Sequence, residues 1–308
     1  EARVHPSAVV AAGATLGRGV VVGPFCVVGP LVTLEPGVTL HSHVVVGGST
    51  IIGSGSIVAP FATVGATPQD LKYRGETSRL TLGRRCRVFE YAHLCGGTAT
   101  GGGITSIGDD CMIMSHVHVG HDCTLGDRVV LASNSALAGH VQVGDEARIS
   151  GYACVHQRVS VGAGAFIGAA SVLVADLIPY GLAIGNRAVL ETLNMHAVRR
   201  MRAPPAEQRM LLRAFRYVFK LPASDRYYAP LLLPHSERLE ERARHVEVEL
   251  PHLPRVMQMV NFITGSAGRT MRRPLCQARS LNGTLADARH EGASSLTRRG
   301  FACEGQSS

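Results

Sequence analysis

The chain of 308 residues is long enough for one or two domains with a sizeable core. Its composition of 45% hydrophobic and 18% charged residues excludes an intrinsically disordered chain, which needs low hydrophobicity and high charge. The 35 glycines, the aromatic content of only 5% and the absence of Trp fit a helical bundle poorly. This composition favours many short strands joined by tight corners.

The formal net charge of +8 favours acidic partners, but its distribution weakens that argument. Residues 265–308 contain seven Arg and three acidic residues, so about half of the excess lies in this segment. No basic stripe interleaved with aromatic residues is present, and we therefore expect no nucleic-acid partner.

The eight cysteines are scattered and form no CxxC pair, which predicts free thiols in a reducing compartment rather than a disulfide framework or a zinc ribbon. Gly and Pro interrupt the long apolar runs, so we expect no transmembrane segment. The chain begins at Glu1 instead of Met, from which we expect that an upstream segment, such as a targeting peptide, has been removed.

A six-residue repeat runs through two-thirds of the chain. Val, Ile or Leu recurs at every sixth position from Val4 to Val64, from Leu82 to Leu94 and from Ile107 to Leu173, which makes 26 hexads. One hexad forms a short strand and a bend, with the aliphatic side chain pointing inward. Three strands then close a triangular coil of eighteen residues, and coils stack about 4.8 Å apart as parallel sheets.

The interruptions and the end of the repeat predict the domain organisation. We expect a β-helix over residues 1–185, with loops at 66–79 and 96–105 where the register breaks. Helical periodicity at 206–220, 236–248 and 254–263 predicts a C-terminal helical domain over residues 186–264. The Ser-, Gly- and Arg-rich residues 265–308 predict a disordered tail.

Histidines in the last block of hexads recur at intervals close to one coil. His121, His140 and His156 are nineteen and sixteen residues apart, and Asp122 precedes His140 by eighteen. Gly139 follows His121 by eighteen residues, and Gln157 follows Gly139 by the same interval. These residues are therefore predicted to lie near one edge of the prism as a polar site. Solvated surface histidines are the alternative.

Several segments together resemble one family of enzymes. They are residues 118–124 (HVGHDCT), 137–141 (LAGHV), 155–157 (VHQ), 23–29 (GPFCVVG) and 69–73 (QDLKY). The last segment is the most telling, because it lies in a loop that the repeat does not dictate. Over about residues 1–263 the chain is similar to the UDP-N-acetylglucosamine O-acyltransferases that begin lipid A synthesis. The resemblance implies a mainly β fold, a left-handed parallel β-helix of hexapeptide repeats followed by a small C-terminal helical domain.

The resemblance also implies a reaction. An acyl carrier protein delivers a 3-hydroxyacyl chain to the 3-hydroxyl of UDP-N-acetylglucosamine, without a metal or a separate cofactor. His121 would be the general base, Asp122 would orient it, and the N–H of Gly139 would bind the oxyanion of the thioester carbonyl.

Further roles come from the same resemblance. Asp70 and Lys72 would hold the sugar nucleotide, whereas Ala169 occupies a position that helps to set acyl length. The sugar and acyl site would be lined by His118, His140 and Gln157, and His156 would flank the acyl groove. The nucleotide would be contacted by Asn194 and Arg200. The family forms homotrimers with sites between neighbouring prisms. It also implies a cytoplasmic location, with a mitochondrion or plastid as the alternative if a transit peptide preceded Glu1.

This sequence departs from the family pattern at four positions. Met201 replaces a common Arg, Arg187 a common His, His196 a common Glu, and Cys95 a polar residue. The first three put nucleotide affinity in doubt more than the chemistry.

Two other functions fit the repeat. A γ-carbonic-anhydrase-like zinc hydratase could use His116 and His121 with a third ligand, for which His93 is the nearest candidate. A non-catalytic β-helix assembly subunit is the other alternative.

Overall fold

The computed structural model describes residues 1–221, 231, 233–265, 275 and 278. Each of the 26 predicted hexads forms one short strand. In chain order these strands are β1 Arg3–Val4, β2 Val9–Val10, β3 Thr15–Leu16, β4 Val21–Val22, β5 Val27–Val28, β6 Thr33–Leu34, β7 Thr39–Leu40, β8 Val45–Val46, β9 Ser49–Ile52, β10 Ile57–Val58, β11 Thr63–Ala66, β12 Arg79–Leu82, β13 Arg87–Val88, β14 His93–Cys95, β15 Ile104–Ile107, β16 Met112–Ile113, β17 His118–Val119, β18 Thr124–Leu125, β19 Val130–Leu131, β20 Ala136–Leu137, β21 Gln142–Val143, β22 Arg148–Ile149, β23 Cys154–Val155, β24 Ser160–Val161, β25 Phe166–Ile167 and β26 Val172–Leu173.

The strands form three parallel sheets, and every third strand belongs to the same sheet. Sheet 1 contains β1, sheet 2 contains β2 and sheet 3 contains β3, each with its successors. Val9 pairs with Val27 and Val130 with Arg148, so the register is eighteen residues wherever no loop intervenes. This arrangement confirms the prediction of a mainly β fold made of stacked three-strand coils.

The aliphatic residue of each hexad fills the axis of the prism. Leu34, Ile113 and Ile167 are fully buried, and small residues two positions earlier, such as Val32 and Cys111, are buried beside them. The axis is too narrow for larger side chains, which explains the absence of Trp and the scarcity of other aromatics.

One backbone N–H in the turn between strands takes no part in backbone pairing between coils. Outside the two loops, the second residue after each inward aliphatic residue donates to no backbone carbonyl in the coils that the structure describes. Proline lacks this N–H, and the position is accordingly taken by Pro24, Pro30, Pro36 and Pro60. Where the turn borders a cavity, the backbone N–H at this position can donate a hydrogen bond to a ligand.

The two loops are slightly shorter than predicted. They span residues 67–78, between β11 and β12, and residues 96–103, which include a short 3-10 helix at Ala99–Gly101. Arg79, Ile104 and Thr105 belong to strands because β12 pairs over four residues with both β9 and β15. Ala66 belongs to β11 because it pairs with Cys95 of β14. Both loops leave the prism at the corner between sheets 2 and 3.

Beyond the repeat, an antiparallel hairpin extends sheet 1 through β27 (Gly181–Ile184) and β28 (Val189–Leu193). Four helices follow: α1 Met195–Arg200, α2 Pro205–Val218, α3 Leu239–Glu249 and α4 Pro254–Thr264. The sequence predicted α2, α3 and α4 to within a few residues but neither the hairpin nor α1. The division into a β-helical and a helical domain stays a prediction.

Three expectations concern the rest of the chain. The tail predicted at 265–308 lies mostly outside the described residues, although Leu275 and Ala278 form isolated bridges with Asp176 and Leu190. Within the described part, no helix is long and apolar enough to cross a membrane. The described cysteines are free thiols, and all of them except Cys154 are buried.

Adjacent residues of β9 allow a matched test of this core. Ile52 is fully buried on the axis, whereas Ile51 points outward and is 43% exposed. Ile52→Ala is expected to lower the free energy of unfolding by about 2–5 kcal/mol, because it leaves a cavity in a closely packed axis. Ile51→Ala is expected to lower it by less than about 1 kcal/mol. Chemical denaturation of both variants measures the difference, and equal losses would contradict the assigned strand faces.

Candidate active site

The predicted polar column lies at the corner between sheets 2 and 3, in the turns that follow β17, β20 and β23. Asp122 and His140 adopt left-handed backbone conformations, with φ of 60° and 62°. The backbone N–H of His140 donates to the carbonyl of His121 at 2.9 Å, and that of Arg158 donates to Gly139 at 3.1 Å. Backbone pairing between coils therefore stacks these turns on one edge.

His121 and Asp122 form a buried pair. Nδ1 of His121 lies 2.7 Å from Oδ2 of Asp122, and the side chain of Asp122 is completely shielded from solvent. A carboxylate only accepts hydrogen bonds, so it favours the imidazole tautomer with the proton on Nδ1. Nε2 of His121 is then left as a proton acceptor.

The second loop holds Asp122 in place. The backbone N–H of Thr98 donates to Oδ1 at 2.8 Å, and the Thr98 hydroxyl donates to Oδ2 at 2.7 Å. The N–H of Asp122 donates to the Thr105 hydroxyl at 2.9 Å. A Cβ on Gly101 would lie 2.1 Å from the carboxylate carbon, so only glycine permits this approach. The sequence analysis missed Thr98, Thr105 and Gly101.

Gly139 is required by the position of His121. A Cβ built on Gly139 would lie 2.5 Å from Nε2 of His121, which is shorter than any tolerated contact. The N–H of Gly139 occupies the turn position that the coil leaves free, and it makes no hydrogen bond within the described part of the chain. This donor and Nε2 of His121 therefore lie close together.

Both residues line a cavity of about 600 Å³ on the outer side of sheet 2. The first loop closes one side of it with Asp70 and Lys72, and the backbone N–H of Lys72 donates to the Asp70 carboxylate at 3.0 Å. This hydrogen bond lowers the pKa of Asp70 below its ordinary value. Six of the predicted site residues share the cavity, namely Asp70, Lys72, His118, His121, Gly139 and Gln157.

His118 stands beside a second histidine. Its ring stacks on His93 of the preceding coil, with centroids 5.3 Å apart. Burial lowers the pKa of His118, and the neighbouring His93 and His121 lower it further. Burial also lowers the pKa of His93. The lowered pKa of His118 favours a neutral imidazole in the cavity wall at neutral pH.

Comparison with known proteins shows what this chain is similar to. A model of bacterial transferase hexapeptide repeats matches residues 104–139, and a model described as Udp N-acetylglucosamine O-acyltransferase, domain 2, matches residues 176–273. An acyl-[acyl-carrier-protein]--UDP-N-acetylglucosamine O-acyltransferase of Burkholderia mallei is 46% identical over 218 residues, covering 71% of this chain and 83% of the relative. The protein of the same name from Paracoccus denitrificans is 42% identical over 217 residues, covering 70% and 77%.

Solved structures of UDP-N-acetylglucosamine acyltransferases are also similar to this chain. A UDP-N-acetylglucosamine acyltransferase from Campylobacter jejuni superposes with a TM-score of 0.79 at 35% identity, covering 90% of this chain and all of that one. The chain belongs to the UDP-N-acetylglucosamine O-acyltransferase family. An Arabidopsis UDP-N-acetylglucosamine acyltransferase also superposes, with a TM-score of 0.75 at 32% identity and coverage of 89% and 100%.

Three further residues that the family resemblance singled out do not line the main cavity. His140 borders an adjoining cavity of about 290 Å³ that also contains Asp122 and Arg158. Its Nδ1 lies 3.9 Å from Oδ2 of Asp122, and burial lowers its pKa. His156 is exposed beside Gln157. Ala169 is exposed at the corner between sheets 1 and 2.

The predicted nucleotide contacts lie at another edge of the prism. Arg200 pairs with Glu146 at 3.2 Å, and Glu146 lies in the corner between sheets 3 and 1. Asn194 caps α1: its Oδ1 accepts from the N–H of Ala197 at 3.2 Å, and its Nδ2 donates to the carbonyl of Gly164 at 2.9 Å. Neither residue reaches the cavity of its own chain.

Three of the four positions that depart from the family pattern lie beyond the last hexad, whereas Cys95 lies on β14. Arg187 and His196 are exposed, whereas Met201 packs against the core and ends α1. His116, considered above as a zinc ligand with His121, lies instead at the corner between sheets 1 and 2. It stacks there on Tyr91 with centroids 4.8 Å apart. The structure therefore does not bring His116 and His121 together.

Proposed function

We propose that this protein transfers a 3-hydroxyacyl chain from acyl carrier protein to the 3-hydroxyl of UDP-N-acetylglucosamine, the first step of lipid A biosynthesis. The observation that carries the mechanism is the orientation of His121. Its Nδ1 is bonded to Asp122, and its Nε2 is turned towards the cavity over Gly139. His121 is therefore the general base of the reaction.

The chemistry follows from two groups. Nε2 of His121 takes the proton of the sugar hydroxyl as its oxygen attacks the thioester carbonyl carbon. The tetrahedral oxyanion that forms accepts a hydrogen bond from the free N–H of Gly139. When the C–S bond breaks, the imidazolium returns the proton to the departing thiolate. Asp122 stabilises the imidazolium between these steps and remains ionised throughout.

The cavity wall supplies the contacts for the substrates. Asp70 and Lys72 bind the sugar nucleotide from the first loop, and His118 and Gln157 line the sugar and acyl site beside the base. No metal or cofactor takes part in these steps. The net charge of +8 favours encounter with an acidic carrier protein.

The separation of Arg200 from His121 supports a homotrimer. The two residues lie on different edges of one prism, so a substrate that touches both must lie between two copies. We propose that a neighbouring copy brings Arg200, with α1 positioned by the Asn194 cap, to the cavity that contains His121. His156 and Ala169 flank the acyl chain at this interface.

We place the reaction in the cytoplasm, with a mitochondrion or plastid as the alternative. Free cysteines throughout the described chain fit a reducing compartment. The relatives come from bacteria and from Arabidopsis.

Substitution of His121 tests the assignment of the base. His121→Ala is expected to lower kcat by about 10²–10⁴-fold, the usual contribution of a general base. The assay follows acyl transfer from acyl carrier protein to UDP-N-acetylglucosamine, and thermal unfolding verifies the fold. The control is His5→Ala, which removes an exposed imidazole from the other end of the prism. Full activity of His121→Ala would contradict the mechanism.

Mixed trimers test the shared site. Coexpression of equal amounts of His121→Ala and Arg200→Ala chains should place an intact pair of residues in about one quarter of the sites. The assay is run below the KM for the sugar nucleotide. The matched control mixes wild-type chains with the double variant. If sites lie between chains, both mixtures recover about one quarter of wild-type activity. If each site lies within one chain, the first mixture is inactive and the control recovers about half.

A further inference from the structure

Three soft or borderline metal ligands converge beside the cavity. His93 and Cys95 lie on β14, and His118 lies opposite His93 on β17. The Nδ1 atoms of the two histidines are 3.2 Å apart, and Sγ of Cys95 is 3.7 Å from Nδ1 of His93. All three ligand atoms lie within 4.8 Å of one another. No family motif quoted above includes His93 or Cys95.

These distances match a tetrahedral metal centre. With Zn–N bonds of about 2.0 Å and a Zn–S bond of about 2.3 Å, tetrahedral angles place two nitrogens about 3.3 Å apart and sulfur about 3.5 Å from nitrogen. The Nδ1 atoms of His93 and His118 are already separated by nearly the nitrogen–nitrogen distance of such a site. Sγ of Cys95 lies close to the sulfur–nitrogen distance from Nδ1 of His93. Only the approach of Cys95 to His118 requires adjustment. A hydrogen bond between the imidazoles alone would explain the first distance but not the position of the thiol.

We propose that His93, Cys95 and His118 bind a thiophilic divalent transition-metal ion such as Zn²⁺. Binding converts the Cys95 thiol to a thiolate and releases one proton to solvent. Three protein ligands leave a fourth position for water. This ligand set departs from the expectation, drawn from the sequence, that no metal is bound.

Bound metal blocks the reaction. His118 lines the cavity that contains His121, so a metal on its Nδ1 fixes the His118 ring and places positive charge beside the base. This inhibitory effect rests on the proposed function, whereas binding itself does not. The other nearby cluster, His121 with Asp122 and His140, offers no sulfur ligand, and its carboxylate is already bonded to Thr98. Thiophilic metals therefore favour Cys95.

Cobalt(II) titration of the reduced, chelator-treated full chain tests binding. We expect one equivalent to produce the near-ultraviolet sulfur-to-cobalt charge-transfer band of a thiolate ligand. Cys95→Ser should abolish this band, and His93→Ala should weaken binding at least about 10- to 100-fold, since even loss of a group outside the coordination sphere costs that much. The control Cys154→Ser removes the exposed thiol on the same sheet and should leave the band unchanged. No band in the wild type, or a band that survives Cys95→Ser, overturns the proposal.

Inhibition is measured separately. Zn²⁺ should reduce acyl transfer by the wild type reversibly, with activity restored by a chelator, and should inhibit Cys95→Ser at least tenfold more weakly relative to its own metal-free rate. His121→Ala should retain the cobalt band, which separates the metal site from the base. A band without inhibition would overturn the inhibitory effect while leaving the site. Loss of acyl transfer in metal-free wild type would instead contradict the proposed function.

Discussion

Parallel backbone hydrogen bonds between successive coils of eighteen residues control the position of His118, His121 and Gly139. Slippage of one residue would turn the aliphatic core outward and the polar residues inward, so the register tolerates no single insertion. Longer insertions are accommodated only as closed loops. Both loops leave the prism at the corner that also contains His121 and Asp122. The scaffold thus brings its irregular segments to the same edge as the buried His121 and Asp122 pair.

The polar groups at this corner are held by each other and by the second loop. The shielded carboxylate of Asp122 would be costly to bury without partners, and Thr98 and His121 provide them. Gly101 and Gly139 allow the loop and the imidazole to approach to distances that any side chain would prevent. The geometry of the His121 imidazole consequently depends on the absence of two Cβ atoms as much as on the residues present.

Sequence periodicity predicted the scaffold and part of the site because both follow from local geometry. The direction of each side chain in a hexad is fixed, so the coil interval placed His121, Asp122 and Gly139 on one edge. The contacts of Thr98 and Gly101 arise from the path of an irregular loop, which no period encodes. The capping role of Asn194 depends on a helix of six residues that is too short to show amphipathic periodicity. His116 entered a zinc hypothesis with His121 because the two are five residues apart, but this spacing is close to one hexad and places them at neighbouring corners of the prism.

We propose that Asp122 holds the His121 proton on Nδ1 and leaves Nε2 to act as base. Nitrogen-15 NMR of the histidine-labelled protein at neutral pH measures this tautomer directly, with His121→Gln identifying the signals. We expect Nδ1 of His121 to carry the proton and Nε2 to carry none. A neutral His121 ring with its proton on Nε2 would contradict the proposal.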